Sequence, residues 1–409
     1  MLSKTTALEK KWILYDVGNS AFTLLVSTIM PIYFNFLATS ANVSETNYLA
    51  FWGYATSIAT IITAILGPIL GTASDFKGWK KKLFMIALLI GALGCILLGF
   101  TSSWLWFLCL FVIVKSAYSL SLVFYDSMLT DITTPERMDN VSAKGYAWGY
   151  IGSCIPFIGS LALVLFYDKL NLTMEIAMSI CFVLIALWWL LLSVPLLQGY
   201  YQTYYLEKEK HFVSASFTRL KNIFGELKNN PKVLFFLIAF FFYIDGVYTI
   251  IDMATAYGTA LGLNTTGLLL ALLLTQIVAF PAALIFGKLS SSVENTKLIK
   301  ICIFAYFLIA LYGITLQQQY QFWILAIGVG IFQGAIQSLS RSYYAKIIPA
   351  NRSGEYFGLY DICGKGASFM GTTLVSLISQ ITGMMNIGVG SLAIMFILGL
   401  FFFVKAQKI

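Results

Sequence analysis

The chain holds twelve apolar segments long enough to cross a bilayer, and that count limits its fold more than any other feature. They lie near 13–37, 49–73, 83–101, 104–128, 145–167, 174–198, 232–259, 264–287, 298–316, 321–345, 355–382 and 386–404. At 1.5 Å per residue, roughly twenty residues cover the ~30 Å of hydrocarbon. Inside lipid, a segment that finds no sheet partner satisfies its backbone only as a helix. The sequence therefore predicts an all-α integral membrane protein of twelve transmembrane helices in two six-helix bundles. The polar connection 199–231 divides the chain into bundles 1–198 and 232–409. Within it, Val213, Phe217, Leu220, Phe224 and Leu227 recur at spacings of 4, 3, 4 and 3. That spacing predicts an amphipathic helix lying in the membrane interface; the alternative is a solvated linker.

Charge placement sets the orientation. Of 409 residues only 11% are charged, yet the net charge is +8. The basic residues collect on one side of the twelve segments. Lys4, Lys10 and Lys11 precede the first; Lys77, Lys80, Lys81 and Lys82 follow the second; Arg137 and Lys144 follow the fourth. Six lie in or at the edge of the central connection. Lys288, Lys297 and Lys300 follow the eighth, Arg341, Lys346 and Arg352 the tenth, and Lys405 and Lys408 the twelfth. The opposite loops hold only Lys169. By the positive-inside rule both termini are cytoplasmic, the expected location being a bacterial cytoplasmic membrane. The basic excess is then a topology signal with anionic lipid as its partner, not a nucleic-acid surface. The N-terminus lacks the apolar core and small-residue cleavage site of a signal peptide, so the first segment is expected to be retained.

Charges inside the spans mark paths or partners, because each costs at least ~2.5–3.5 kcal/mol at the bilayer centre unless paired or wetted. Asp16 lies in the first segment, Lys115 and Asp126 in the fourth, Asp245 and Asp252 in the seventh, and Asp361 and Lys365 in the eleventh. The third, sixth, ninth and twelfth segments hold none between their ends, which predicts that they face lipid. The tenth supplies the uncharged Gln333, Gln337 and Ser338. Lys115, Asp245, Lys365, Gln276 and Gln333 fall near mid-depth; Asp16 and Asp126 lie nearer the basic side. Asp361 and Lys365 stand four residues apart, acid first, the favourable order for a helical ion pair, so they read first as a structural pair, with a substrate site as the alternative. The candidate substrate or proton residues are Asp245, Lys365, Lys115, Asp16, Asn19, Asp361, Asp252, Gln276 and Gln333. The only histidine, His211, is in a polar loop, and no Cys-x-x-Cys pair occurs. No metal site, cofactor or histidine-based catalytic centre is expected.

Residues 67–82, G-P-I-L-G-T-A-S-D-F-K-G-W-K-K-K, resemble the major facilitator signature between the second and third helices. Gly71, Asp75, Gly78 and Lys80 carry the likeness; Trp79 stands where Arg is usual. The resemblance implies a conformational gate in which Asp75 caps a neighbouring helix or holds a basic partner such as Arg137 in one state only. The stretches 14–22, 123–132, 142–152, 243–254 and 357–368 are similar to the vacuolar amino-acid effluxer-like branch of that superfamily. The loop-to-helix stretches 130–152 and 345–364 also resemble each other, in keeping with duplicated halves. For the fungal vacuolar member, the resemblance implies export of amino acids. Asp126 and Asp361 stand where that branch commonly has Asn, and Asp252 where it has Lys.

The reading is a secondary active transporter of a small polar solute, working by alternating access. With no G-x-x-x-x-G-K-[ST] sequence, coupling falls to an ion gradient, with protons on buried carboxylates as the expected ion. An amino-acid-like substrate fits a lysine and an aspartate at one depth; efflux and uptake remain open. A monomer is expected. The alternatives are a non-transporting membrane sensor and an exporter of other metabolites or drugs on the same fold. An enzyme is not expected.

Overall fold

A computed structural model describes residues 4–207 and 212–409; for some helical residues within these ranges, Lys365 among them, only the backbone is described. Twelve long helices follow in order: α1 (Ala7–Ser40), α2 (Glu45–Ser74), α3 (Trp79–Leu98), α4 (Trp104–Ser127), α5 (Met138–Phe166), α6 (Met174–Gly199), α7 (Pro231–Ala260), α8 (Thr265–Leu289), α9 (Asn295–Ile314), α10 (Gln319–Ile347), α11 (Ser353–Thr382) and α12 (Leu392–Gln407). Eleven of these stretches are long and apolar enough to cross a membrane, the last as 385–407; α11, at 30 residues, also has the length. An even number of spans puts both termini and the central connection on one face, called here the termini face.

Local chemistry sets the helix ends. Thr6 and Glu9 form a capping box at the start of α1. Ser44, Thr173, Asn230 and Asn264 cap α2, α6, α7 and α8 with their side chains. Gly78 adopts φ of 78°, the left-handed conformation that lets α2 turn sharply into α3.

The halves repeat each other. In the first, α1 packs on α5 and α6, α2 on α4, and α3 on α4 and α6. In the second, α7 packs on α11 and α12, α8 on α10, and α9 on α10 and α12, the same pairs advanced by six. Between halves, α2 meets α11 and α5 meets α8, again exchanged by the repeat. The helices without internal charge present apolar outer stripes, such as Ile86, Ile90, Leu93 and Leu97 on α3 and Ile394, Ile397 and Phe401 on α12. Exposed apolar stripes of this kind are what lipid-facing helices require.

The connection holds a helix at Phe212–Asn229. Ile223 and Leu227 are buried beneath it, against α2 and α7. Leu227 belongs to the predicted apolar face; the side chains of Val213, Phe217, Leu220 and Phe224 lie outside the described residues.

Candidate functional site

The two halves are joined tightly at the termini face. There α2 and α11 cross on two glycines each, spaced i, i+4: Gly67 and Gly71 against Gly354 and Gly358. Small residues let the backbones touch, and a Cβ at Gly358 would stand 2.7 Å from Pro68 Cα and 2.9 Å from the Gly67 carbonyl oxygen. Asp75, just past α2, uses this approach. Its carboxylate accepts from the backbone N–H groups of Gly354 (2.7 Å) and Glu355 (2.9 Å), capping α11 from the other half. Arg352, the residue preceding α11, supplies no side-chain cap, so Asp75 fills the role. Burial pushes the Asp75 carboxyl up to about 7, against the opposing pull of Lys80 and the two N–H groups.

Lys80 is fully buried beside it. Its Nζ donates to Ser353 Oγ (2.8 Å) and lies 3.4 Å from Asp131 and 4.0 Å from Asp75. Asp131 also accepts from the Tyr200 hydroxyl (2.6 Å) and the backbone N–H groups of Thr203 and Tyr204. Gln202 bonds Gly78 N–H and the Ser74 carbonyl. The start of the connection is thus laced to the α2–α3 loop. Arg137, a candidate partner for Asp75, is not there. It pairs instead with Glu9 at 2.6 Å, because the α1 capping box holds that carboxylate under the start of α5.

A second junction lies roughly 9 Å below the termini face. Arg341 of α10 is only 2% exposed and crosses into the first half. Nη1 donates to Asp126 of α4 (2.9 Å), Nη2 to Asp16 of α1 (3.2 Å), and Nε to Ser142 Oγ of α5 (2.9 Å). Trp12 and Tyr146 cover its two faces, their rings 4.6 and 4.3 Å from the guanidinium carbon. Gly145 leaves room for this, since a Cβ there would be 3.1 Å from Arg341 Nη2 and from Trp12 Cζ3. Asn19 donates to Asp16 (3.4 Å). Nearby, Asp139 of α5 takes Ser342 and Lys346 of α10 (both 2.6 Å) and Asn295 of α9.

Arg341 corrects the charge count. The tally of basic loops places it outside the tenth span, whereas α10 carries it inside, so α10 is not limited to uncharged polar groups. Its signal was the polar run Gln337, Ser338, Ser340, Arg341, Ser342 at the end of an apolar segment. Glu9, Asp131, Asp139 and Asn295 were likewise missed, because loop-edge charges are ordinary in a membrane protein.

Farther from the termini face than Arg341, fewer polar contacts join the halves among the described residues. The deepest hydrogen bond between them among the described residues is Tyr150 hydroxyl to Gln337 (2.7 Å). Asp126 keeps 18% of its side chain exposed, whereas Arg341 keeps 2%. Asp361 is half-buried and Asp252 exposed, and Tyr248 of α7 stands in the field of both and of Asp126. Lys115 is half-buried, its Nζ 5.8 Å over the Phe111 ring. Gln276 and Gln333 line a narrow cleft between α7, α8 and α10 with Ile250, Ala254 and Thr275. The Lys365 side chain, and so its pairing with Asp361, lies outside the described residues.

Asp245 is placed differently from these. It is fully buried between α7 and α11, with Oδ1 accepting from Gly371 N–H (3.0 Å) and Thr249 Oγ1 (3.2 Å). Among the described residues no group hydrogen-bonds its Oδ2.

This geometry has known counterparts. A family model described as "Vacuole effluxer Atg22 like" matches residues 5–137 and 130–408. The MFS-type transporter YxiO of Bacillus subtilis (strain 168) is 40% identical over 405 residues, 98% of this chain and 95% of that one. Autophagy-related protein 22 of Coccidioides immitis (strain RS) is 24% identical over 87% of this chain and 72% of its own. Among solved structures, the E. coli fucose:proton symporter FucP superposes with a TM-score of 0.72 at 15% identity, covering 98% of this chain and 97% of that one. That likeness shows the twelve-helix major facilitator fold. The matches are transporters, not enzymes, and the family match runs over nearly the whole sequence: the chain is a major facilitator transporter and belongs to the Atg22-like family.

Proposed function

We propose that the chain is a proton-coupled secondary transporter of amino-acid-like solutes across the bacterial cytoplasmic membrane, and that this conformation is its outward-facing state. With the basic termini face taken as cytoplasmic, the sealed side is the inner one. The observation that carries the reading is the Arg341 junction. One guanidinium from the second half meets two carboxylates from the first, contacts that exist only while the inner side is closed. Only such differential contacts move a two-state equilibrium.

The same junction supports a proton as coupling ion. Two carboxylates against one guanidinium leave one excess negative charge in a buried site, which a proton on the partly exposed Asp126 would neutralise. Protonation there loosens the hold of the first half on Arg341 and favours inward opening. Asp245, whose Oδ2 has no partner among the described residues, is the second proton candidate. At and beyond the junction, the acids Asp126, Asp361 and Asp252 and the base Lys115 supply both signs of charge, as an ammonium-carboxylate solute requires. The family's "vacuole effluxer" description fits export, and the direction of net flux is left to the pH gradient.

The test is counterflow and gradient-driven uptake by the purified chain in liposomes, with a panel of amino acids, sugars and drug-like cations. Amino-acid accumulation that follows an imposed pH gradient is expected. Asp126→Asn should abolish accumulation while sparing exchange of preloaded solute. Accumulation of other solutes only, or no transport of any by well-folded protein, would replace this reading with the exporter or sensor alternative.

A further inference from the structure

The geometry points to a binding site for an anionic phospholipid in the outer groove between α9 and α12. The groove is open to the bilayer side and measures about 570 Å³. Ile303, Phe304 and Phe307 of α9 and Ile397, Leu400 and Phe401 of α12 form its walls. Phe304 and Phe401 are more than half exposed, so these rings are not part of the protein core. At the termini face the lining changes from apolar to basic, ending in Lys405 and Lys408.

Length and charge together select the occupant. From Phe396 to Lys408 the groove follows twelve residues, about 18 Å of helix. That is close to the ~15 Å depth of one leaflet of hydrocarbon. An acyl chain laid along the apolar walls therefore brings its headgroup level with the two lysines. A third cation stands there: Lys300 Nζ is 3.1 Å from Gln407 Oε1. The Gln407 Nε2 donor is buried with no partner among the described residues. Lys405 is steadied over the Phe235 ring at 4.3 Å. The neighbouring acid, Glu294, accepts from Thr296 Oγ1 (2.6 Å). Basic pockets between transmembrane helices at this level select phosphate-bearing anionic headgroups. A zwitterionic lipid would fill the same walls and lack the net charge that three lysines favour.

Native mass spectrometry of the full chain in detergent, titrated with phosphatidylglycerol or phosphatidylcholine of identical chains, tests the assignment. Wild type should retain phosphatidylglycerol about tenfold better. Lys405→Gln/Lys408→Gln should bring that ratio close to one, whereas Lys81→Gln/Lys82→Gln, on the same face, should leave it unchanged. Ile397→Trp fills the groove without altering charge and should lower retention of both lipids. Equal retention of the two lipids by wild type, or an unchanged ratio in the lysine pair, overturns the site. So does loss in the lysine pair with full retention in Ile397→Trp, since that pattern marks surface charge without a groove. Lys408→Gln alone lies past the last helix and serves if the double variant does not fold; it should lower the ratio at least twofold, and no change overturns the site. None of these outcomes depends on whether the chain transports amino acids.

Discussion

Replacing Gly358 by Ala tests whether the α2–α11 crossing is the inner closure. The new methyl would sit 2.7 Å from Pro68 Cα, and ordinary contact begins at 3.4 Å, so the helices must part by about 0.7 Å. Both opposing groups are backbone, and no side-chain rotation relieves the clash. Overpacking of this kind costs about 1–3 kcal/mol. If the crossing exists only in the closed state, the whole cost falls on that state, and the open population rises about 5–150-fold. The readout is maleimide labelling of a single cysteine at Ala143, buried where α5 meets Gly287 of α8, on a background lacking the six native cysteines. That reporter lies at the other closing pair, so faster labelling reports a whole-face opening and not local damage. Gly53→Ala on α2 is the control, because its Cβ meets nothing within 4 Å. Well-folded Gly358→Ala protein that labels within twofold of the control would refute the assignment of this crossing to closure.

Other outcomes follow from the junctions. Arg341→Gln leaves Asp16 and Asp126 as buried carboxylates without their cation, a loss of about 3–5 kcal/mol from the closed state. Adding Asp16→Asn/Asp126→Asn should recover much of it in thermal melts; no recovery would mean that Arg341 acts through packing on Trp12 and Tyr146. Asp75 contributes a pH dependence of the opposite sense to Asp126. Its pKa is about 7 when buried in the closed state and returns toward 3.8 when hydrated. The closed state then binds the extra proton between roughly pH 4 and 7, so Asp75 favours closure as pH falls and loses that effect as pH rises through 7. The ratio of wild-type to Asp75→Asn labelling at position 143 should rise between pH 5 and 7 and level off above 8; a ratio that falls as pH rises refutes this sign. Finally, single cysteines at Asn42 and Gln318 should label from outside intact cells. Labelling from outside at Lys81 or His211 would invert the orientation and with it the outward-facing reading.

Much of this protein is legible from its sequence because the membrane makes the rules local. A run of apolar residues from Pro231 to Ala260 must be a helix wherever it lies, since lipid offers its backbone no other partner. Basic residues sort to one side by their position relative to those runs, and the charge-free third helices face lipid because nothing on them needs a partner. The acids inside the spans are also visible as an inventory. What sequence alone does not contain is which of them meet. Arg341 and Asp16 are 325 residues apart, and nothing in either neighbourhood names the other. Asp75 caps a helix whose first residue lies 278 positions further on, and it reaches it only because two glycine pairs bring α2 and α11 into backbone contact. Asp245 and Asp126 look alike along the chain, as acids in apolar helices. The tertiary fold turns Asp126 toward a guanidinium and closes Asp245 between two helices, with one oxygen unanswered among the described residues, because distance between helices is set by packing and not by spacing along any one of them.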